Sequence, residues 1–329
     1  MKIFLTGGTG YLGQQLRAAL LEAGHQVAVL TRQAREEGAG SRLTWIRGDL
    51  ADGPPPVETL HQYRAVIHAA ALVKSWAPDR RVFDRVNVEA YEGLLERCSR
   101  AGVSRVLHTS SFLSLGPTRG DQPMREGDRA PRETYLTDYE RTKRLADAVT
   151  DRWVARGLAV ATLYPTILYG PGERTDGNLV GKTIWWIARG RFPGLVGPGD
   201  RKWNLAYVPD VVRGHLLALE RAVGGQRYIL GGEDILLDDL VRRIHELLGK
   251  RPRYRRLRVE TAEALGGFLE WTARWTRKAP DLTRGVAGVY RHHWSYDSAK
   301  SVKDLGYRIT PLETGLTETV RWAAGVDRW

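Results

Sequence analysis

The chain has 329 residues, enough for one large or two unequal domains, and a single cysteine, Cys98, so no internal disulfide can form and a reducing, cytoplasmic setting is expected. No apolar run reaches the roughly eighteen residues of a membrane span, and the N-terminus runs straight into a strand rather than a secretory leader. The net charge of +12 suits a polyanion, but the arginines are scattered, which reads as a basic solvated surface and argues against nucleic acid.

Residues 2–6 form a short apolar strand, followed at once by Thr6-Gly7-Gly8-Thr9-Gly10-Tyr11-Leu12-Gly13. Leu16, Leu20 and Leu21 then recur at helical spacing over 14–23. A strand, a glycine turn and a helix N-terminus make a phosphate site, because glycine admits close backbone approach and the free N–H groups meet the anion. The glycine spacing is three and three, not the two and three of the standard fingerprint. Its position ahead of a second strand, 26–30, favours a dinucleotide over a plain turn. Thr31-Arg32 follows, with Arg35 behind it. An NAD site usually has an acid here, whereas arginine accommodates the 2′-phosphate of NADP. Glu36 and Glu37 keep NAD as the alternative. Strand 43–47 ends at Gly48-Asp49-Leu50, where Asp49 either accepts from the adenine amine or caps a turn.

AVIHAAA, at 65–71, reads as a buried strand ending in residues small enough for a cofactor to lie against. Residues 72–79, with Lys74 and Trp76, form a loop at the carboxyl edge of the sheet. Helix 83–100 carries Val86, Ala90, Leu94 and Leu95 on one face, interrupted by Asn87, which either buttresses a site or satisfies a packing edge. Strand 103–109 ends in Thr109-Ser110-Ser111, and 117–131 is a polar, proline-bearing loop. A helix over 132–156 then places Tyr139 and Lys143 one turn apart. A free tyrosine titrates near ~10, and bringing it to ~7 takes roughly 4 kcal/mol. One ammonium is too weak for that, so the pair is expected to need a cofactor charge and burial as well.

Strand 158–163 leads to PTILYGPG at 165–172. The alternation predicts an α/β fold, a Rossmann-type doubly wound parallel sheet over 1–168, with a smaller C-terminal substrate-binding domain over 169–329. Within the latter, 205–230 is expected to return to the first domain. The other expected elements are helices 178–188, 210–221, 236–248, 259–277 and 312–324, strands 205–208 and 226–230, and a strand-like 294–296. A cleft between the two domains is the natural substrate site. The basic run 250–258 precedes a helix with Leu265, Phe268, Leu269, Thr272 and Trp275 toward one side and Trp271 nearby. This stripe is expected to pack the smaller domain onto its own core, the alternative being an anionic bilayer. His292-His293 lacks companion ligands, so no metal site is expected.

In combination, TGGTGYLG (6–13), GDL (48–50), HAAA (68–71), HTSS (108–111), YERTK (139–143) and PTILYGPG (165–172) resemble the extended short-chain dehydrogenase/reductase, or NAD-dependent epimerase/dehydratase, family. WAPD (76–79), HLLALE (215–220), RYILGGE (227–233) and DSAKSVKDLGY (297–307) are similar to its dihydroflavonol-reductase-like branch and to hopanoid-associated sugar epimerase-like proteins. The resemblance implies Tyr139 as general acid or base, Lys143 on the nicotinamide ribose and Ser111 on the substrate oxygen. It implies cofactor contacts from Gly7, Gly10, Tyr11, Leu12, Gly13, Arg32, Asp49, Leu50, Ala69, Ala70, Ala71, Lys143, Pro165 and Ile167. A homodimer through helices 83–100 and 132–156 is implied too.

Substrate contacts are expected from Lys74, Trp76, Phe112, Asn178 and Trp203, the last two with Lys182 and Arg201 in any nucleotide-diphosphate site. The leading expectation is an NADP-dependent reductase or dehydrogenase of a ketone or secondary alcohol on a bulky, partly apolar molecule. The alternatives are a sugar-nucleotide epimerase or dehydratase that retains NAD, and a non-catalytic binding protein on the same scaffold. Tyr164 stands where many sugar-nucleotide enzymes carry arginine, and Pro209-Asp210 replaces a pair of acids.

Overall fold

Runs of valine, isoleucine and leucine closed by small or polar residues supply the strands. In the computed structural model, which describes residues 1–33, 42–120, 122–130, 135–173, 175 and 177–325, these strands are β1 (Lys2–Thr6), β2 (Gln26–Thr31), β3 (Leu43–Arg47), β4 (Ala65–His68), β5 (Arg105–Thr109), β6 (Val160–Pro165), β7 (Ile167–Tyr169), β8 (Leu195–Val196), β9 (Lys202–Tyr207), β10 (Arg227–Leu230), β11 (Glu233–Leu236) and β12 (Arg256–Leu257). Arg35, Glu36 and Glu37, and the expected helix start at 132, lie outside the described residues.

Seven strands pair in parallel in the order β10-β6-β5-β4-β1-β2-β3. The order reverses between β1 and β4, the switch point at which open α/β sheets bind ligands. Side chains alternate between the faces, as the pleat requires. Ile3, Leu5, Val29 and Ile67 pack with Leu16, Leu20, Val211 and Leu219 of helices Tyr11–Glu22 and Val208–Arg221. Phe4, Ala28, Val66 and Val106 pack on the other face with Tyr91, Leu94, Ala146 and Val149 of helices Ala90–Arg100 and Asp138–Ala155. Burial on both faces explains why β4 and β6 show no polar alternation.

A second core gathers Tyr164, Tyr169, Ile184, Trp203, Trp294 and Leu316 around the small sheet β11-β9-β7. The strand expected at 205–208 begins earlier, as β9, and belongs to this small sheet. The helix after it packs on Tyr11–Glu22, and β10 pairs with β6 in the main sheet. The strand-like 294–296 is present only as isolated bridges, Trp294 to Trp203 and Tyr296 to Met124.

Two differences matter for the site. The helix expected at 83–100 starts at Arg81 and widens to a π turn over Arg85–Glu89, the stretch that carries Asn87. The helix expected from 132 starts at Asp138, because Thr137 caps it. The Thr137 side chain accepts from Glu140 N at 3.1 Å, and the Glu140 carboxylate accepts from Leu136 N at 3.0 Å. This resembles a capping box, and it fixes the helix cap two residues before Tyr139.

The stripe on helix Val259–Thr276 packs only in part, with Leu269 and Thr272 half-buried. The helix buries Ala262, Gly266 and Ala273 against helix Arg284–Val289, leaving Leu265, Phe268, Trp271 and Trp275 exposed. No helix among the described residues is long and apolar enough to cross a membrane.

Candidate active site

The glycine turn lies between β1 and the helix at the switch point. Gly7 has φ 75°, and a Cβ there would stand 2.5 Å from Ala70 N. A Cβ on Gly13 would stand 1.9 Å from Gly7 O. The protein's own backbone therefore demands both glycines. Gly10 differs: a Cβ would meet only Gly7 O, at 3.5 Å, so space remains above it. Gly10 heads the helix with no side chain capping the end, and its N–H bonds Gly7 O at 3.0 Å. An uncapped helix N-terminus over an open glycine fits a dinucleotide diphosphate. Ala69, Ala70 and Ala71 lie half-buried next to it, and Ala70 N reaches Thr6 Oγ1 at 3.4 Å.

Tyr11, expected at the cofactor, spends its side chain elsewhere. It is buried, its hydroxyl donates to Gly170 O at 2.9 Å, and Gln15 bonds Pro171 O at 2.9 Å. Only the Tyr11 backbone is left for a ligand, while its ring ties the 165–172 segment to the glycine turn. Leu12 is half-buried, and Pro165 and Ile167 are buried where that segment leaves β6. Arg32 is exposed just beyond the end of β2. Asp49 caps the short turn Leu50–Asp52 by accepting from Ala51 N at 3.0 Å, and Leu50 is buried.

Ser111, Tyr139 and Lys143 come together past the carboxyl end of β5. Ser111 accepts from Leu113 N at 3.3 Å and lies beside the Tyr139 phenol, near enough to favour its ionised form. Lys143 is buried; its Nζ donates to Thr109 O at 2.8 Å and lies 6.0 Å from the Tyr139 ring centre. Burial pushes the Tyr139 phenol up to about 12, against the Ser111 contact, which lowers it. Burial takes Lys143 down to about 8, against the Asp147 carboxylate, which raises it. The expectation that burial helps the phenolate is therefore corrected: a low-dielectric setting disfavours both charged forms. The protein alone keeps the phenol protonated at neutral pH, the form that donates.

Below Lys143, one turn on, Asp147 is buried and accepts from Ser110 Oγ at 2.7 Å, Ser114 Oγ at 2.8 Å and the Tyr164 hydroxyl at 3.1 Å. Sequence reasoning missed Asp147, although an acid four residues after Lys143 was the available signal. Asn87 accepts from Leu72 N at 2.7 Å and donates to Thr142 Oγ1 at 3.0 Å, so it ties the 72–79 loop to the helix of Tyr139. Arg80 and Arg141 reinforce that end with paired contacts to Asp138 and Asp84 at 2.6–2.9 Å.

The residues expected at the substrate separate into two groups. Lys74 is exposed and Trp76 half-buried in the 72–79 loop. Phe112, next to Ser111, stands edge-on to Trp294 and Tyr296 with ring centres 5.5 and 5.6 Å away. Asn178, by contrast, is wholly buried and caps helix Leu179–Ala188, accepting from Gly181 N at 3.0 Å and donating to Glu173 O at 3.4 Å. Trp203 is buried in β9 with its ring 5.0 Å from that of Tyr290. These last two build the core rather than a binding surface. Among the described residues no cluster of three metal-ligating side chains occurs.

Residues 3–231 match the model of the NAD dependent epimerase/dehydratase family. The chain belongs to that family. Within it, sterol demethylase protein B of Methylococcus capsulatus is 31% identical, over 98% of each chain. The 2-alkyl-3-oxoalkanoate reductase of Stenotrophomonas maltophilia is 29% identical, over 93% of this chain and 94% of its own. The solved structure of MoeE5 with UDP-glucuronic acid and NAD is 28% identical, with a TM-score of 0.77 over 98% of this chain and 99% of that one. This family member is thus an enzyme of the extended short-chain dehydrogenase/reductase type, with a Rossmann-like sheet and an NAD(P) cofactor.

Proposed function

We propose that the enzyme transfers hydride between NADP(H) and a ketone or secondary alcohol on a bulky, partly apolar molecule. The observation that carries this reading is the convergence of Ser111, the Tyr139 phenol and buried Lys143 one turn on, with the open Gly10 helix end at the same edge of the sheet. The cofactor supplies or accepts hydride at its nicotinamide. Ser111 and Tyr139 hold the substrate oxygen, Tyr139 gives it a proton during reduction, and Lys143 stabilises the phenolate left behind. Residues 1–168 with the returning β10 would hold the cofactor, and the smaller region would cover the substrate. Relatives named for sterol demethylation and alkyl-oxoalkanoate reduction support an apolar substrate.

Exposed Arg32 at the end of β2 supports NADP. Arg32→Ala is expected to weaken NADPH binding by about 10- to 100-fold, the worth of one charge-assisted phosphate contact, and to leave NADH nearly unchanged. Fluorescence titration of both cofactors checks this, and equal losses for both would remove Arg32 from the phosphate site.

The second reading is a sugar-nucleotide epimerase with retained NAD, favoured by the likeness to MoeE5. Against it, Tyr164 directs its hydroxyl to Asp147 inside the core, and Asn178 and Trp203 are buried. Denaturing the purified protein and weighing any released nucleotide separates the two. Loosely held NADP(H) supports the reductase; stoichiometric NAD that survives dialysis supports the epimerase. The non-catalytic reading gains nothing from a chain that retains all three residues. A homodimer would use the outer faces of helices Ala90–Arg100 and Asp138–Ala155, where Leu145 is exposed and Arg152 bonds Glu92 at 2.9 Å. Light scattering of Leu145→Glu would then report a monomer.

A further inference from the structure

We propose that helix Val259–Thr276 is a membrane-docking surface that seats its aromatic stripe in the headgroup region of an anionic bilayer. The helix packs inward through small residues. A Cβ on Gly266 would stand 2.5 Å from Arg284 N, so backbone meets backbone along this seam. Its bulky residues consequently face out: Leu265 is 45% exposed, Phe268 58%, Trp271 56% and Trp275 79%. Phe268 and Trp271 stack on each other, ring centres 6.1 Å apart. Spacings of three and four residues put these side chains on one side of a helix about 27 Å long, too short and too polar on its other side to span a membrane.

Charge decides the occupant. Exposed Arg251, Arg253 and Arg255 precede the helix, and exposed Arg274, Arg277 and Lys278 close it; none makes an ion pair among the described residues. Of the three acids on the helix, Glu260 and Glu263 are both held by Arg291, and half-buried Glu270 lies within electrostatic reach of Arg80. Cationic ends around a tryptophan-bearing stripe suit a surface that is negative outside and apolar beneath. A second copy of this chain seated on this face would set the same exposed arginines and lysine against one another. Helix Arg284–Val289, on which the docking helix rests, abuts Leu136 through Gly285 and Gly288, immediately before the helix of Tyr139. Docking would therefore hold the Tyr139 end of the site near the bilayer, a route for apolar substrates if the proposed substrate class holds. The docking itself does not depend on that class.

The test is flotation of the full chain, without cofactor or substrate, on vesicles of phosphatidylcholine alone and of phosphatidylcholine with phosphatidylglycerol. Retention on the anionic vesicles at low salt is expected, weakened by added salt and accompanied by a blue shift of tryptophan emission. Trp271→Ala/Trp275→Ala should lower retention at least about tenfold, with an unchanged melting temperature and unchanged NADPH binding. Arg274→Glu/Arg277→Glu should lower it as well. No retention at low salt, or equal retention of the variants, would overturn the proposal. So would a dimer that the tryptophan variant dissociates, since the face would then be an interface between copies. Because NADPH binding is read separately, a failure here is distinguishable from a failure of the hydride-transfer reading.

Discussion

Tyr139→Phe is expected to lower turnover by roughly 10²- to 10⁴-fold while leaving the fold and cofactor affinity almost unchanged. The substitution removes one oxygen from a half-buried ring and keeps its shape. Ser111 keeps its bond to Leu113 N, so the stability change should stay within about 1 kcal/mol. What disappears is the proton donor to the forming alkoxide. A loss of NADPH binding in parallel with turnover would mean that the ring positions the cofactor instead. Lys143 provides a linked observable. Burial holds its ammonium at about 8, below the ordinary lysine value near ~10.4. Between these values the unfolded chain binds the proton more readily than the folded one, so this group makes stability rise with pH across the window. Relative to Lys143→Met, the native protein should gain melting temperature as pH is raised from below 8 to above 10, and lose that gain on return.

Gly10→Ala and Gly13→Ala should separate binding from folding. The Cβ of Gly13→Ala would fall 1.9 Å from Gly7 O, which is backbone and cannot swing aside. The turn must distort, at a cost of about 3 kcal/mol or more, and both the melting temperature and cofactor binding should fall. At Gly10 the new methyl has 3.5 Å to the nearest protein atom, and φ is −83°, a conformation alanine adopts freely. The cofactor-free protein should be as stable as before, or slightly more so. NADPH affinity should nevertheless drop by about 100-fold, because the methyl would occupy the space over the helix N-terminus. Calorimetry of both variants with and without NADPH checks the contrast. Native affinity in Gly10→Ala would place the diphosphate elsewhere.

Much of the sheet was legible because its signals are local: apolar runs, a glycine turn and helical spacing of leucines. The start of the Tyr139 helix was local too, written in Thr137-x-x-Glu140, but the charged stretch before it masked the cap. Asn178 illustrates the converse, a polar residue ahead of an apolar helix whose ordinary capping role outweighs ligand contact. Trp203 and the 259–276 stripe were misread for a different reason. Whether an aromatic residue is buried depends on what faces it, and Trp203 meets Tyr290 while Trp275 stays largely exposed. The sign of the burial effect on Tyr139 was a matter of physics rather than position, since only the neutral phenol is at ease in a low dielectric.

The most direct test of the proposed chemistry is a stoichiometric one. The protein would be mixed with NADPH and a panel of lipophilic ketones, following nicotinamide absorbance and alcohol formation together, with Tyr139→Phe in parallel. The account predicts one NADPH consumed per alcohol formed, and almost none in the variant. Conversion of a sugar nucleotide with no net change in the cofactor, or turnover indifferent to Tyr139→Phe, would contradict it.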